Sequence, residues 1–330
     1  MIPVIVLTAS IGLVGCSKSS EGLVVYSGRN KNLIGPLLDR FEDDTGIDVR
    51  VKYADTGESL ATLLEEGDRT DADVFISQDA GALGVLSERR LLAELPTDVL
   101  ALVEERFRDG EGRWVGLTGR ARVIAYNTDV LDESQVPDTV FEVVEPRWQG
   151  KVGFPPTNAS FIAFVAALRE QVGEERTRAF LEGLAANGAK RYDNNILTLN
   201  AIANGEIELG LVNHYYLYAE LKERVDAPVA NHYPGQEPGQ EGTFVNVSGV
   251  GIIEGTDRGE DADRFVRYLL DRGAQEFFRD ETAEYPMRKG IAPIEALPPL
   301  DSLRTVDIQL SAIRDDIEAA VELIKATGLS

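Results

Sequence analysis

Short apolar runs alternate with stretches of helical spacing over residues 23–90, and this alternation restricts the fold more than any other feature. Leu23-Val24-Val25-Tyr26 is of strand length and ends in the polar turn Ser27-Gly28-Arg29-Asn30. Leu33, Leu37, Leu38 and Phe41 then recur on one helical face over 33–44, and Thr45-Gly46 stops them. Residues 47–53 alternate as a second strand, 60–66 form a short helix, and 72–76 form a third strand that leads through Ser77-Gln78-Asp79 into another helix. The βαβαβ order predicts an α/β fold with a mostly parallel sheet covered by helices. Neither a G-x-G-x-x-G fingerprint nor a P-loop is present, so a nucleotide site lacks its usual mark.

Residues 116–127 read as a strand carrying Arg120 and Arg122, and the chain first crosses into a second lobe there. Trp148 to Phe154 introduces that lobe's own sheet, 155–160 is a loop, and helices follow at 161–171, 180–187 and 196–204. The loop's Asn158, Ala159 and Ser160, with free amides at a helix start, form a plausible anion-binding nest or ordinary capping. The apolar run 207–212 is strand-like. Asn213 is predicted to cap the helix after it, which puts Tyr215 and Tyr216 in a first turn beyond a strand end, where open α/β sheets take ligands. A Pro/Gly/Gln-rich turn region at 232–242 precedes a strand at 244–253 that returns the chain to the first lobe. A single amphipathic helix is expected over 261–279, with Phe265, Leu269 and Phe277 among its apolar positions, and a last helix within 306–329.

The 330 residues suffice for two domains with real cores. A hydrophobic fraction of 43% and a charged fraction of 27% fit a soluble globular chain, and a net charge of −23 argues against nucleic acid as partner. A monomer is expected. Residues 2–14 are apolar, too short for an ordinary membrane span, and match the core of a secretory signal. They end in Leu13-Val14-Gly15-Cys16, which resembles the lipobox of bacterial lipoproteins, although no Lys or Arg precedes the apolar run. Cys16 is the only cysteine, so it has no intramolecular disulfide to form. Cleavage before Cys16 and lipidation of its thiol are expected, with 17–22 as a flexible leash. The protein is then exported across the cytoplasmic membrane and anchored at the cell surface or in the periplasm.

Two adjacent phenols are a specific chemical device. A free tyrosine titrates near ~10 and stays protonated at neutral pH. A hard trivalent cation displaces that proton, as metals do from coordinating thiols and water, and tyrosinate is an attested iron ligand. A helix N-terminus is expected to help hold the phenolate. On these residues alone the plainer reading is a core-facing stripe of Tyr215, Tyr218 and Leu221, with Tyr216 beside it. The only histidines, His214 and His232, argue against a His-rich zinc-type site. There is no G-x-S-x-G nucleophile, and no carboxylate pair is singled out for glycoside hydrolysis.

Seven motifs in order then tip the balance. They are Val25-Tyr26-Ser27-Gly28-Arg29, Asp71-Ala72-Asp73-Val74-Phe75, Thr118-Gly119-Arg120-Ala121-Arg122-Val123, Trp148-Gln149-Gly150-Lys151-Val152-Gly153, Asn204-Gly205-Glu206-Ile207, Asn213-His214-Tyr215-Tyr216 and Glu284-Tyr285-Pro286-Met287-Arg288. Together they resemble the ferric-iron-binding solute receptors of ABC importers over nearly the whole mature length. The resemblance implies a two-lobed periplasmic-binding-protein-like fold of type II, with a two-stranded hinge near Arg122 and Val245 and a ligand cleft that closes between the lobes. The corresponding segments are 1–22 for signal and leash, 23–122 completed by 246–296 for lobe 1, and 123–245 completed by 297–330 for lobe 2. It implies no catalytic step: ferric iron is captured, carried and delivered to an ABC permease and its ATPase.

The same resemblance assigns Tyr215 and Tyr216 to the metal, and Arg29, Asn158, Ala159, Ser160, Asn195 and Asn213 to a synergistic anion of carbonate or phosphate type. Two further metal positions depart from the family pattern. Asn30 stands where many members have an iron-ligating histidine, with Lys31 next to it, and Gln78 stands where some have a glutamate. Neutral amides are poor ligands for so hard an ion, which makes dependence on a co-bound anion the expectation. The competing readings are the same scaffold holding a polyamine, a thiamine-like cation or an oxyanion, and a secreted hydrolase with a carboxylate pair.

Overall fold

The computed structural model describes residues 22–329; the expected signal segment with Cys16 lies outside them. The first part of the chain runs β1 (Leu23–Ser27), α1 (Lys31–Thr45), β2 (Val49–Tyr53), α2 (Thr56–Glu66), β3 (Val74–Ser77), α3 (Ala80–Glu88) and the short α4 (Thr97–Leu100). Helix α1 starts where Asn30 Oδ1 accepts the Asn32 amide, buries Ile34, Leu37, Leu38 and Phe41, and ends at Gly46, whose φ of 70° suits a residue without Cβ. The long β4 (Val115–Asn127), buried along its whole length, leads into β5 (Val152–Phe154), α5 (Ala159–Val172), α6 (Glu174–Ala186), β6 (Lys190–Arg191), α7 (Asn195–Ala203), β7 (Leu209–Asn213), α8 (Tyr215–Glu223) and β8 (Val229–His232). The return is β9 (Val245–Ile252), then α9 (Gly259–Leu269), α10 (Arg272–Thr282), β10 (Tyr285–Pro286) and α11 (Ile313–Ala326).

The strands form one sheet of order β2-β1-β3-β9-β4-β7-β5-β6, with β8 and β10 also paired to β4. It is mixed rather than mostly parallel. Parallel pairs occur at the flanks, β1 with β2 and β3, and β5 with β6 and β7. Every pair made by β4 or β9 is antiparallel. The reason is the route of the chain: β4 carries it out of the first half and β9 carries it back. Val115 to Ala121 lie against β9, whereas Arg122 to Tyr126 lie against β7. The crossing strand therefore changes partner at Ala121-Arg122.

The expected single helix over 261–279 is two helices. Asp271 is extended, and its side chain caps α10 through the Ala274 amide at 2.7 Å. The carbonyls freed at the break are taken by Arg288 Nη1 at Leu270 (2.7 Å) and by Gln275 Nε2 at Leu269 (2.9 Å). The last helix begins later than its apolar pattern, and α11 touches both halves of the molecule. Arg169 Nε of α5 donates to Asp316 at 2.9 Å, and Arg314 Nη1 donates to the Gly84 carbonyl of α3 at 3.2 Å.

Candidate metal and anion site

A cleft of about 830 Å³ opens between the two halves. Arg29, Asn30 and Gln78 line it from the first half, Tyr215 and Tyr216 from α8, and Glu284 from the segment after α10. Gly28 lets the turn before Arg29 pass against α2, since a Cβ there would collide with Thr56 Oγ1.

The Tyr pair reaches the cleft through a strand-to-helix junction. Asn213 is not the cap expected of it. It is the last residue of β7, held opposite Arg122 of β4, and the backbone turns helical at His214 (φ −57°, ψ −38°), which occupies the cap position without a side-chain capping bond. Leu217 is the buried residue of α8, and Tyr218 and Leu221 pack half-buried against the core with Tyr216, so the expected core-facing stripe is formed in part, while Tyr215, Tyr216 and Tyr218 also line the cleft. The rings of Tyr215 and Tyr216 stack with centroids 4.2 Å apart and an interplanar angle of 30°. Burial pushes the Tyr215 phenol well above its ordinary value, the Tyr216 phenol adds to this, and Arg120 opposes it. The expected help of the helix N-terminus in holding a phenolate is therefore outweighed at Tyr215 by burial.

Three guanidinium groups form the wall behind the pair. Arg29 is fully buried and pairs with Glu284 through Nη2 at 2.7 Å, while its Nη1 donates to Thr118 Oγ1 at 3.0 Å. Arg120 donates from Nη2 to the Gln78 carbonyl and lies 3.9 Å from Glu284. Arg122 donates from Nη1 to the Leu211 carbonyl at 3.1 Å and Asn195 Oδ1 at 3.3 Å, and from Nη2 to Ser160 Oγ at 3.1 Å. Burial pushes Arg122 down to about 9 while the Tyr216 and Tyr215 phenols hold it up, so it stays charged at neutral pH. The Nε atoms of Arg29, Arg120 and Arg122 are buried without a hydrogen-bond partner. Glu284 and Asp79 are the carboxylates that face these cations, and burial raises the Asp79 carboxyl. Even with both ionised, three cations against two anions leave the wall positive, which suits an incoming anion.

The loop residues gather around Arg122. Asn158 Oδ1 accepts from Ser160 N (3.0 Å), Ser160 Oγ (2.6 Å) and Asn195 Nδ2 (3.2 Å), and Ala159 opens α5. Asn213 is buried opposite Arg122. Asn30 is exposed at the rim, with its Oδ1 used in capping α1. Gln78 has a buried Oε1 without a partner, while its backbone N–H donates to Thr56 Oγ1 at 3.1 Å. Among the described residues no group of three or more His, Cys, Asp or Glu side chains is arranged to hold a metal.

Arg120, Arg122 and Glu284 were not among the site residues read from the sequence. The first two had a usable signal: residues two apart on a strand share a face, and two arginines on one face of an otherwise apolar strand need buried partners.

The family model for bacterial extracellular solute-binding proteins matches residues 70–307. The Fe(3+)-binding periplasmic protein of Serratia marcescens is 30% identical over 334 residues, covering 99% of this chain and 97% of that one. The major ferric iron-binding protein of Neisseria meningitidis serogroup B is 29% identical over 321 residues, 96% of each chain. The crystal structure of iron-bound HitA from Pseudomonas aeruginosa superposes with a TM-score of 0.84 at 34% identity, covering 93% of this chain and 99% of that one. Fold and cleft thus define a binding protein of the periplasmic-binding-protein type. The chain belongs to the family of bacterial extracellular solute-binding proteins.

Proposed function

We propose that this protein is the extracytoplasmic receptor of an ABC importer, which captures ferric iron in the cleft and hands it to the permease. The observation that carries the reading is the stacked Tyr215–Tyr216 pair at the first turn of α8, set before a positively charged wall. Relatives and a structural neighbour of high coverage that are named for ferric iron support it. Ferric iron takes roughly six hard donors, and two phenolates leave it one positive charge and several open positions. A carbonate- or phosphate-type anion completes the set, held by Arg122 with Asn158, Ala159, Ser160, Asn195 and Asn213. Arg29 acts from the same arginine wall, where its bond to Glu284 makes it a source of field and of one free Nε rather than of a bidentate clamp. Gln78 offers an unpartnered oxygen as an additional neutral donor; Asn30 reaches the metal only by giving up its cap on α1.

In this reading residues 23–122 with 246–296 form one lobe and 123–245 with 297–330 the other, and they close as a monomer about the partner change at Ala121-Arg122. An iron titration followed by the visible tyrosinate band tests the reading, in buffer stripped of carbonate and phosphate and then with each restored. Binding is expected to tighten with an anion present. Equal affinity in all three buffers means that the protein supplies the whole ligand set and that the anion assignment is wrong.

The anchor belongs to the same proposal and rests on Leu13-Val14-Gly15-Cys16. Cys16→Ala is expected to move the protein from the membrane to the soluble fraction. Retention of the variant with the membrane at the parental level rejects the anchor.

A further inference from the structure

His214 separates the last residue of β7 from the two tyrosines, and it is fully buried. Its amide donates to the Ala121 carbonyl at 2.9 Å, which carries the β7–β4 ladder one residue past the Asn213–Arg122 pair. In a regular antiparallel ladder the reciprocal bond would run from the Ala121 N–H to the His214 carbonyl. The backbone has already turned helical, and that carbonyl accepts from Asn231 Nδ2 at 2.8 Å instead. The imidazole takes its place: Nδ1 accepts the Ala121 N–H at 3.0 Å. Nε2 therefore carries the ring proton and donates to the Ala283 carbonyl at 2.9 Å. Ala283 closes α10 in the left-handed conformation (φ 54°), and the residue after it is Glu284, the partner of Arg29. The same ring lies edge-on to Tyr215, at 5.9 Å and 83°, and 4.9 Å from the ring of Tyr285.

Three parts of the molecule thus meet on one side chain: the crossing strand where it changes partner, the helix start that bears the tyrosines, and the segment that holds the arginine wall. We propose that His214 is the positioning residue of the tyrosine pair. By bridging Ala121 and Ala283 it fixes the first turn of α8, and with it the direction of both phenol oxygens, against the wall formed by Arg29, Arg120 and Glu284. This rests on the reading of the cleft as a ferric-iron site. The imidazole is not a ligand; it acts through the backbone on either side. An apolar ring of similar size fills its volume but strands the Ala121 N–H and the Ala283 C=O in a buried place.

The test uses the full chain with His214→Phe, His214→Asn and His214→Gln, each titrated with ferric iron while the visible band and the melting temperature of the unloaded protein are recorded. Phe removes both bonds, Asn places an oxygen near the Nδ1 position, and Gln places an amide N–H near the Nε2 position. His214→Phe is expected to bind iron at least tenfold more weakly than the parent and to shift the band, with Asn and Gln each recovering part of the loss. A folded His214→Phe with parental affinity and an unmoved band overturns the proposal. Should Phe not fold, Asn and Gln decide: parental affinity and band in both overturn it equally. Tyr216→Phe serves as the control that separates the two levels. A parent without the band overturns the iron reading and this inference with it. A coloured parent, a colourless Tyr216→Phe and unaffected His214 variants overturn only the inference.

Discussion

Tyr215→Phe and Tyr216→Phe are each expected to abolish the visible band and to weaken ferric binding by more than about a hundredfold, beyond the range typical of changes to groups that merely support ligands. Phenylalanine keeps the ring, and so the stack at 4.2 Å, but offers no oxygen. The unloaded variants are therefore expected to melt close to the parent, which separates loss of a ligand from loss of the fold. Proton release checks the same assignment from another side. Burial holds the Tyr215 phenol above its ordinary range, so the unloaded state keeps its proton through neutral pH, and the iron-bound state has lost it. Acid favours the state that holds the proton. Affinity should therefore fall as pH is lowered, by roughly tenfold per pH unit for each phenolate formed. Each Phe variant removes one proton from that slope. Iron binding that ignores pH in the parent rules out phenolate ligation.

The parts of the molecule legible in the sequence were those whose physics is local. The apolar spacing of Leu33, Leu37, Leu38 and Phe41 needs only the helical period, although the structure buries Ile34 fully and Leu33 only in part, and the first five elements follow from such runs. The Tyr pair stood out because its two members are adjacent. What failed needed partners far along the chain. Sheet direction is set by β9 returning beside β4, more than a hundred residues later in the sequence. Asp271 looked like one polar position in an amphipathic helix, yet it starts a new helix, and Gln275, which holds the Leu269 carbonyl there, also reaches Leu117 on the crossing strand. The cap predicted at Asn213 followed local preference, but pairing with Arg122 kept that residue in the strand. The partners of the arginine wall were invisible for the same reason. Arg122 meets Ser160 and Asn195 from two other elements, and Arg29 meets Glu284 across 255 residues.

That last pair carries the largest stability effect expected of any single substitution here. The Arg29 and Glu284 side chains are 0% and 1% exposed, and Arg120 lies on the other side of the same carboxylate. Burial alone would push Glu284 up, but Arg29 and Arg120 together hold it below the usual carboxylate range, so it is ionised and counterbalances the wall. Glu284→Gln preserves shape and one acceptor oxygen but leaves Arg29 buried without a counter-charge. A loss of about 3–5 kcal/mol in unfolding free energy is expected at neutral pH, as for other buried pairs broken on one side. The pH profile has a definite sign. A carboxyl lowered by folding contributes stability that is fully present above its unfolded value, near ~4.3, and that disappears as pH falls through the lower folded value. The parent should therefore lose stability steeply on acidification, and the variant, which has no carboxyl at this position, should lose less over the same range. Denaturant unfolding of both proteins at neutral and acid pH measures the difference. Arg29→Met combined with Glu284→Gln separates the pair from simple packing. Removal of both charges should cost well under the sum of the single changes, because neither partner is then left alone. Strict additivity would mean that the wall is neutralised by something other than Glu284.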